Sequence, residues 1–220
     1  MRKEQIGNTT IFLADCMELM KQYPDKYFDL AICDPPFFSV KKLDYSRGRE
    51  RTAQGRIFTK YKAPIAWNVP DNYYYKELCR VSKGQIIFGI NYYHFENVPG
   101  GRIVWDKKKH EGTTFSDGEI ASCSLINTVK FFRYKWDGML QENMKHKEKR
   151  VHPTQKPIEL YNWLLLNFAK PNWKILDTHL GSGSIAIACN KLGFDLTACE
   201  IDREYFNAAC KRIKIEKAIT

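Results

Sequence analysis

The 220-residue chain lacks any C-x-x-C pair, any apolar run near the roughly 18 residues that span a bilayer, any internal repeat and any low-complexity tract. Each absence removes a class of protein. Its seven cysteines (Cys16, Cys33, Cys79, Cys123, Cys189, Cys199 and Cys210) are scattered and odd in number. Neither a disulfide framework nor a metal site is signalled, and a reducing cytoplasm fits that usage. The opening MRKEQIGNTTIF is charged but has no apolar segment of the secretory kind, so the chain reads as soluble. Acid is scarce relative to base: 25 Asp and Glu stand against 35 Lys and Arg, for a formal charge of +10. Such an excess favours a polyanionic partner, nucleic acid first among them.

What is present suits one α/β domain over residues 1–220, since 44% of residues are hydrophobic and 14% aromatic. NTTIFLADC reads as a strand ending at Asp15, CMELMKQY as a helix, and FDLAICD as a continuous apolar strand ending at Asp34. Two β units that each close on an acid suggest a parallel sheet whose strand ends share one edge. Residues 39–66 have no clear period and form a basic loop, followed by a helix over 71–81 and the strand GQIIFGI. RIVWDK, EIASCSL and TVKFFRYKW then read as antiparallel strands at the sheet edge, and a second basic insertion covers 133–151. HPTQKPIELYNWLLLNFAK is expected to be helical, with Pro157 near its first turn and Pro171 closing it. A strand, a glycine turn, a helix, the strand LTACEI and a final helix from Arg203 complete the chain.

Gly181 and Gly183 in LDTHLGSGSIA allow a tight strand-to-helix turn and close approach of a ligand to bare backbone. With Glu200 nineteen residues past Gly181, the pattern meets the dinucleotide fingerprint superficially, and a carboxylate there can accept bonds from ribose hydroxyls. A turn that binds nothing has the same appearance. Only about forty residues follow this turn, too few for a whole doubly wound sheet, so the remaining strands must come from the N-terminal half. Early in the chain, Asp34, Pro35, Pro36 and Phe37 follow an apolar strand; two successive prolines fix two φ angles and hold that exit rigid.

Together these segments resemble the amino-group DNA methyltransferases that use S-adenosylmethionine, in their β-type order. That family places D/S-P-P-aromatic first, then HPTQKP, then LD-x-x-x-G-S-G; here they are Asp34 to Phe37, His152 to Pro157 and Leu176 to Gly183. The chain is similar overall to small phage or prophage adenine methylases. The resemblance implies a doubly wound, Rossmann-like α/β sheet, mostly parallel with an antiparallel edge, in circularly permuted motif order. It implies a cytoplasmic enzyme of bacterial or phage origin. It places Asp177, Gly181 and Gly183 along the cofactor's methionine, Thr154 and Gln155 near its carboxylate, Glu200 on its ribose, and Asp15 and Cys16 beside its adenine. Where the family has Pro-Phe after the motif acid, this chain has Thr178-His179, so His179 either replaces the usual ring against the cofactor or simply packs.

An exocyclic amine is a poor nucleophile because its lone pair is delocalised into the ring. In the family's scheme Asp34 and the Pro35 carbonyl accept its two N–H bonds, Pro36 stiffens the turn, and Phe37 stacks on a base flipped from the duplex. Methylation at cytosine carbon needs a nucleophilic cysteine, usually after proline; no Pro-Cys occurs, and Cys33 reads as core. Asp rather than Ser at position 34 favours adenine over the cytosine-N4 alternative. In the basic loop, Lys41, Lys42, Arg47, Arg49, Arg51, Arg56, Lys60 and Lys62, interleaved with Tyr45, Phe58 and Tyr61, suit phosphate contact, with a merely solvated loop as the plainer reading. Lys145, Lys147, Lys149 and Arg150 are a second candidate patch. Neither patch amounts to a separate recognition domain, so specificity is short or shared with a second copy in a homodimer. An RNA or protein-glutamine methyltransferase would share the cofactor residues, although the latter usually carries Asn where Asp34 stands. A nicotinamide oxidoreductase leaves DPPF and HPTQKP unexplained, and a non-catalytic DNA-binding module needs no cofactor pocket.

Overall fold

The computed structural model describes residues 1–37, 68–109, 116–137 and 140–219. The basic loop and the eight cations assigned to it therefore lie outside the described residues. From the N-terminus the chain forms β1 (Arg2–Ile6), β2 (Thr9–Leu13), α1 (Cys16–Met20), β3 (Phe28–Cys33), α2 (Asn72–Val81) and β4 (Ser82–Phe88). A 3-10 turn at Ile90–Tyr92 leads to β5 (Arg102–Asp106), β6 (Gly118–Cys123), β7 (Val129–Arg133) and the two-residue strands β8 (Trp136–Asp137) and β9 (Leu140–Gln141). α3 (Ile158–Phe168), β10 (Lys174–Asp177), α4 (Ser184–Leu192), β11 (Asp195–Glu200) and α5 (Arg203–Ile219) follow.

The main sheet has the order β1-β2-β11-β10-β3-β4-β6-β5-β7. β2, β11, β10, β3 and β4 are mutually parallel neighbours. Their apolar sequences are explained by burial on both faces. In β3, Leu30 and Ile32 join the core under α3, α4 and α5, whereas Phe28, Ala31 and Cys33 join the one under α1 and α2. Ile86 and Ile87 of β4 divide in the same alternating way.

Three elements depart from the sequence expectation. β1 pairs antiparallel with β2 as an edge strand, and its polar RKEQI is mostly exposed, so it carries no apolar signal. The far edge is not wholly antiparallel: β6 runs against both β4 and β5, but β7 lies parallel to β5. α3 begins at Ile158 rather than at His152, with Pro157 as its N-cap. Proline disfavours the helical conformation in the residue before it, and Pro153 and Pro157 keep His152 to Lys156 out of the helix.

The chain leaves β10 for β11 on one side and returns from β2 to β3 on the other, so the direction of winding reverses between β10 and β3. Parallel sheets bind ligands outside the carboxyl ends of their strands at such a point. Arg212 of α5 secures that place from behind. Buried, it donates to the Ser182 carbonyl at 3.0 Å, to the Ser184 hydroxyl at 2.9 Å, and to Glu148 Oε2 at 2.7 Å. Glu148 also accepts the Ile158 N–H at 2.9 Å, so part of the second basic insertion is tied to the start of α3. Arg212→Met should lower stability by about 3–5 kcal/mol because it leaves the buried Glu148 carboxylate without its cation. Thermal melts check this, and Glu148→Gln in the same chain is expected to recover part of the loss.

Candidate active site

The strand register delivers acids to one edge. Leu13 of β2 pairs with Glu200 of β11, and Asp177 of β10 pairs with Ala198 of β11. Asp15 and Asp34 follow directly on β2 and β3. A cavity of about 360 Å³ opens there, lined at one end by Asp15, Cys16 and Glu200 and at the other by Asp34, Pro35, Pro36 and Phe37. Thr154, Gln155, His179 and Gly181 also line it. Asp177 and Gly183 are absent from the lining. Asp177 is buried one layer behind, accepting the His179 N–H at 2.9 Å. Gly183, at φ +78°, packs toward Ile213 of α5.

The groups at the Asp15 and Glu200 end are largely prepaired. Asp15 caps α1 through Oδ1, which accepts from Met17 N at 2.8 Å, and leaves its second oxygen for a ligand. Glu200 accepts N–H bonds from Gly181 and Asp202, each at 2.9 Å. Burial nevertheless pushes its carboxyl up to about 7. Burial, with Asp34 and Glu200 nearby, likewise lifts Asp177 to about 8. The Gln155 side chain is spent internally, accepting from Val151 N and donating to the Lys149 carbonyl. Thr154 Oγ1 lies 3.1 Å from His152 Nδ1. Burial and Lys156 hold His152 down at about 3, so its ring is neutral. His179 is neutral as well, lowered to about 4 by burial, and stands edge-on to Tyr74 in the cavity wall. Cys16 stays a thiol, pushed up to about 12 by burial and by Asp15.

At the other end Asp34 has two unlike oxygens. Oδ2 receives Lys156 Nζ at 2.6 Å, while Oδ1 is buried without a hydrogen-bond partner among the described residues. Burial raises the carboxyl to about 6 against the pull of Lys156. Beside it, Tyr93 donates its hydroxyl to the Pro35 carbonyl at 2.7 Å, which leaves that oxygen one lone pair. Phe37 stacks on Tyr92 with centroids 5.1 Å apart and planes at 16°. Acids and a bare glycine turn at one end, and the acceptors of Asp34 and Pro35 with a single lysine at the other, fit a cationic nucleoside such as S-adenosylmethionine. Among the described residues no cluster of His, Cys, Asp or Glu is placed to hold a metal ion.

The profile of a DNA methylase family, named for N6 and N4 methyltransferases, matches residues 91–211. The Type II methyltransferase M1.MboII of Moraxella bovis is 35% identical over 89% of this chain and 92% of its own. This chain belongs to the DNA methylase family. Type II methyltransferase M.HinfI of Haemophilus influenzae is 27% identical, covering 97% of this methylase and 71% of the relative. Among solved structures, a complex of M1.HpyAVI with SAM shares the fold at a TM-score of 0.58 and 21% identity, over 93% of this chain and 99% of that one. The PvuII cytosine-N4-specific DNA methyltransferase does so at 0.59 and 10% identity, over 99% and 95%.

Sequence reading missed several residues of the methylase site. Lys156 lies within HPTQKP, where the sequence alone assigns it no role. Tyr93, Glu119 and Lys107 belong to no motif; the turn after β4 and the β5–β6 pairing bring them toward Asp34. Gly89 is another. At φ +73° it occupies the left-handed region, and a Cβ there would overlap the Phe37 ring. Gly89→Ala should cost about 1–2 kcal/mol from backbone strain alone and displace Phe37. The expected result is slower methyl transfer with unchanged S-adenosylmethionine affinity, read by kinetics and calorimetry.

Proposed function

We propose that this methylase transfers a methyl group from S-adenosylmethionine to N6 of an adenine flipped out of duplex DNA. The observation that carries the reading is the Asp34 carboxylate: one oxygen is fixed by Lys156 and the other is buried without a partner among the described residues, in a cavity that Pro35 also lines. A buried acceptor left open costs free energy unless a donor arrives. An exocyclic amine offers two N–H donors, one for Oδ1 of Asp34 and one for the remaining lone pair of Pro35. Holding both bonds at fixed acceptors draws the nitrogen toward tetrahedral geometry and restores its lone pair. The aspartate at this position, where a serine would suit cytosine, favours adenine.

Phe37 supplies a stacking face, backed by Tyr92. Asp15 would accept the cofactor adenine's amine through its spare oxygen, with Cys16 against the ring; Glu200 would take the ribose hydroxyls. Thr154, Gly181 and His179 border the methionine part, with Gln155 shaping the loop and Asp177 and Gly183 supporting it from behind the wall. When bound, the cofactor supplies an electrophilic methyl group on a sulfonium. Lys41, Lys42, Arg47, Arg49, Arg51, Arg56, Lys60 and Lys62 supply phosphate contacts.

Mapping modified bases on DNA from cells that express the protein tests the reading: N6-methyladenine at a fixed sequence is expected, and N4-methylcytosine would overturn the base assignment. Asp34→Ala should bind S-adenosylmethionine normally while losing transfer by about 10²-fold or more. Wild-type kcat/KM should fall as pH drops below about 6, where Asp34 takes up a proton and ceases to be a full acceptor. Neutralising Arg47, Arg49 and Arg51 should flatten the dependence of log K for DNA on log salt; an unchanged slope returns that loop to plain solvation.

A further inference from the structure

The Lys156 ammonium is buried 2.6 Å from Asp34 Oδ2 and 2.6 Å from Glu119 Oε2. Glu119 is gripped in turn by Lys107 at 2.7 Å. The rings of Phe37 and Phe88 flank the ammonium, with centroids at 5.5 and 5.0 Å. At its other end the Lys156 carbonyl accepts the Ser184 hydroxyl, which Arg212 also holds. Fixed at both ends, the side chain cannot swing toward solvent without leaving the Asp34 carboxylate uncompensated and Glu119 with Lys107 alone.

We propose that Lys156 is a positioning residue for the amine acceptor: by occupying Oδ2 it turns Oδ1 of Asp34 to the amine and keeps the carboxyl charged, while Glu119 and Lys107 fix Lys156. The inference rests on the amine-methylation reading above. Among the described residues, the charged and titratable groups facing Asp34 are Lys156, Glu119 and Lys107, with Tyr93, Tyr161 and Asp177 around them. Burial raises both tyrosines, so they stay neutral through the working range. Glu119, although buried, lies below the ordinary glutamate range because Lys156 and Lys107 both bear on it. Lys156 is raised, since its two carboxylates outweigh burial. At neutral pH Asp34 and Glu119 thus stand ionised on either side of the Lys156 ammonium.

The two neighbours of Asp34 act in opposite senses, and this gives a test that simple misfolding does not mimic. Single-turnover DNA methylation is measured against pH at saturating cofactor, with S-adenosylmethionine affinity and melting temperature followed in parallel. Lys156→Met should move the acid limb of the rate profile upward by about 1–3 pH units, because the counter-charge is gone. At pH 7 it should slow transfer at least about tenfold while cofactor affinity holds. Lys156→Arg, which keeps the charge, should bring the limb back toward its wild-type position. Glu119→Gln should move it downward, because a negative neighbour has been removed. If Lys156→Met does not fold, Lys156→Arg and Glu119→Gln decide. A limb that stays put or rises in Glu119→Gln overturns the inference, as does an unmoved limb in a folded, cofactor-binding Lys156→Met. A wild-type protein that methylates no exocyclic amine at any pH instead overturns the function on which the inference rests.

Discussion

Four neighbouring parallel strands end in or beside a carboxylate, and a crevice of low dielectric cannot hold that much negative charge uncompensated. Most of the site is an answer to this constraint. Asp15 spends one oxygen on the first turn of α1, and Glu200 gathers two backbone N–H groups. Asp177 meets the constraint by favouring its protonated form. Asp34 alone is answered by a buried cation, and that cation needs a second carboxylate and a second lysine to hold it. The arrangement leaves one acceptor oxygen of Asp34 open at the end of the cavity away from the glycine turn, without a partner among the described residues.

Rigidity is distributed in the same way. Pro35 and Pro36 fix the exit from β3, Tyr93 pins the carbonyl of Pro35, and Gly89 clears the volume for Phe37. Behind the other half, Arg212 joins α5 to Ser182, Ser184 and Glu148. Ser184 passes that connection to Lys156. One lysine is therefore held by the glycine turn through its carbonyl and by Asp34 through its ammonium, so it touches both ends of the cavity.

The parallel core and the acids at its edge were legible because each acid closes an apolar run or follows a glycine turn, and these are local patterns. The family resemblance rested on three such patterns in order. Glu119 and Lys107 were not legible, because they meet only through the antiparallel register in which Trp105 faces Glu119 across β5 and β6. β1 escaped notice because an edge strand with a polar outer face has no apolar alternation to report. The start of α3 was misplaced because the apolar helical period of IELYNWLLLNF was extended back through two prolines that forbid it. Tyr93 shows no signal in NYYHF, where three aromatic side chains look alike and only the fold selects the one that reaches Pro35.

The permuted order of the chain has a consequence for synthesis. Leu30 of β3 pairs with Ile175 of β10, and Ile11 of β2 pairs with Ala198 of β11, contacts separated by well over a hundred residues. A ribosome releases β2 and β3 first, and they then wait for their parallel partners β11 and β10 and for the lysine paired with Asp34. Closing such distant pairs is slow, and the exposed strand edges are vulnerable until it is done. The cavity is thus incomplete until the last third of the chain emerges, since His152 to Ile201 supply one part of its wall.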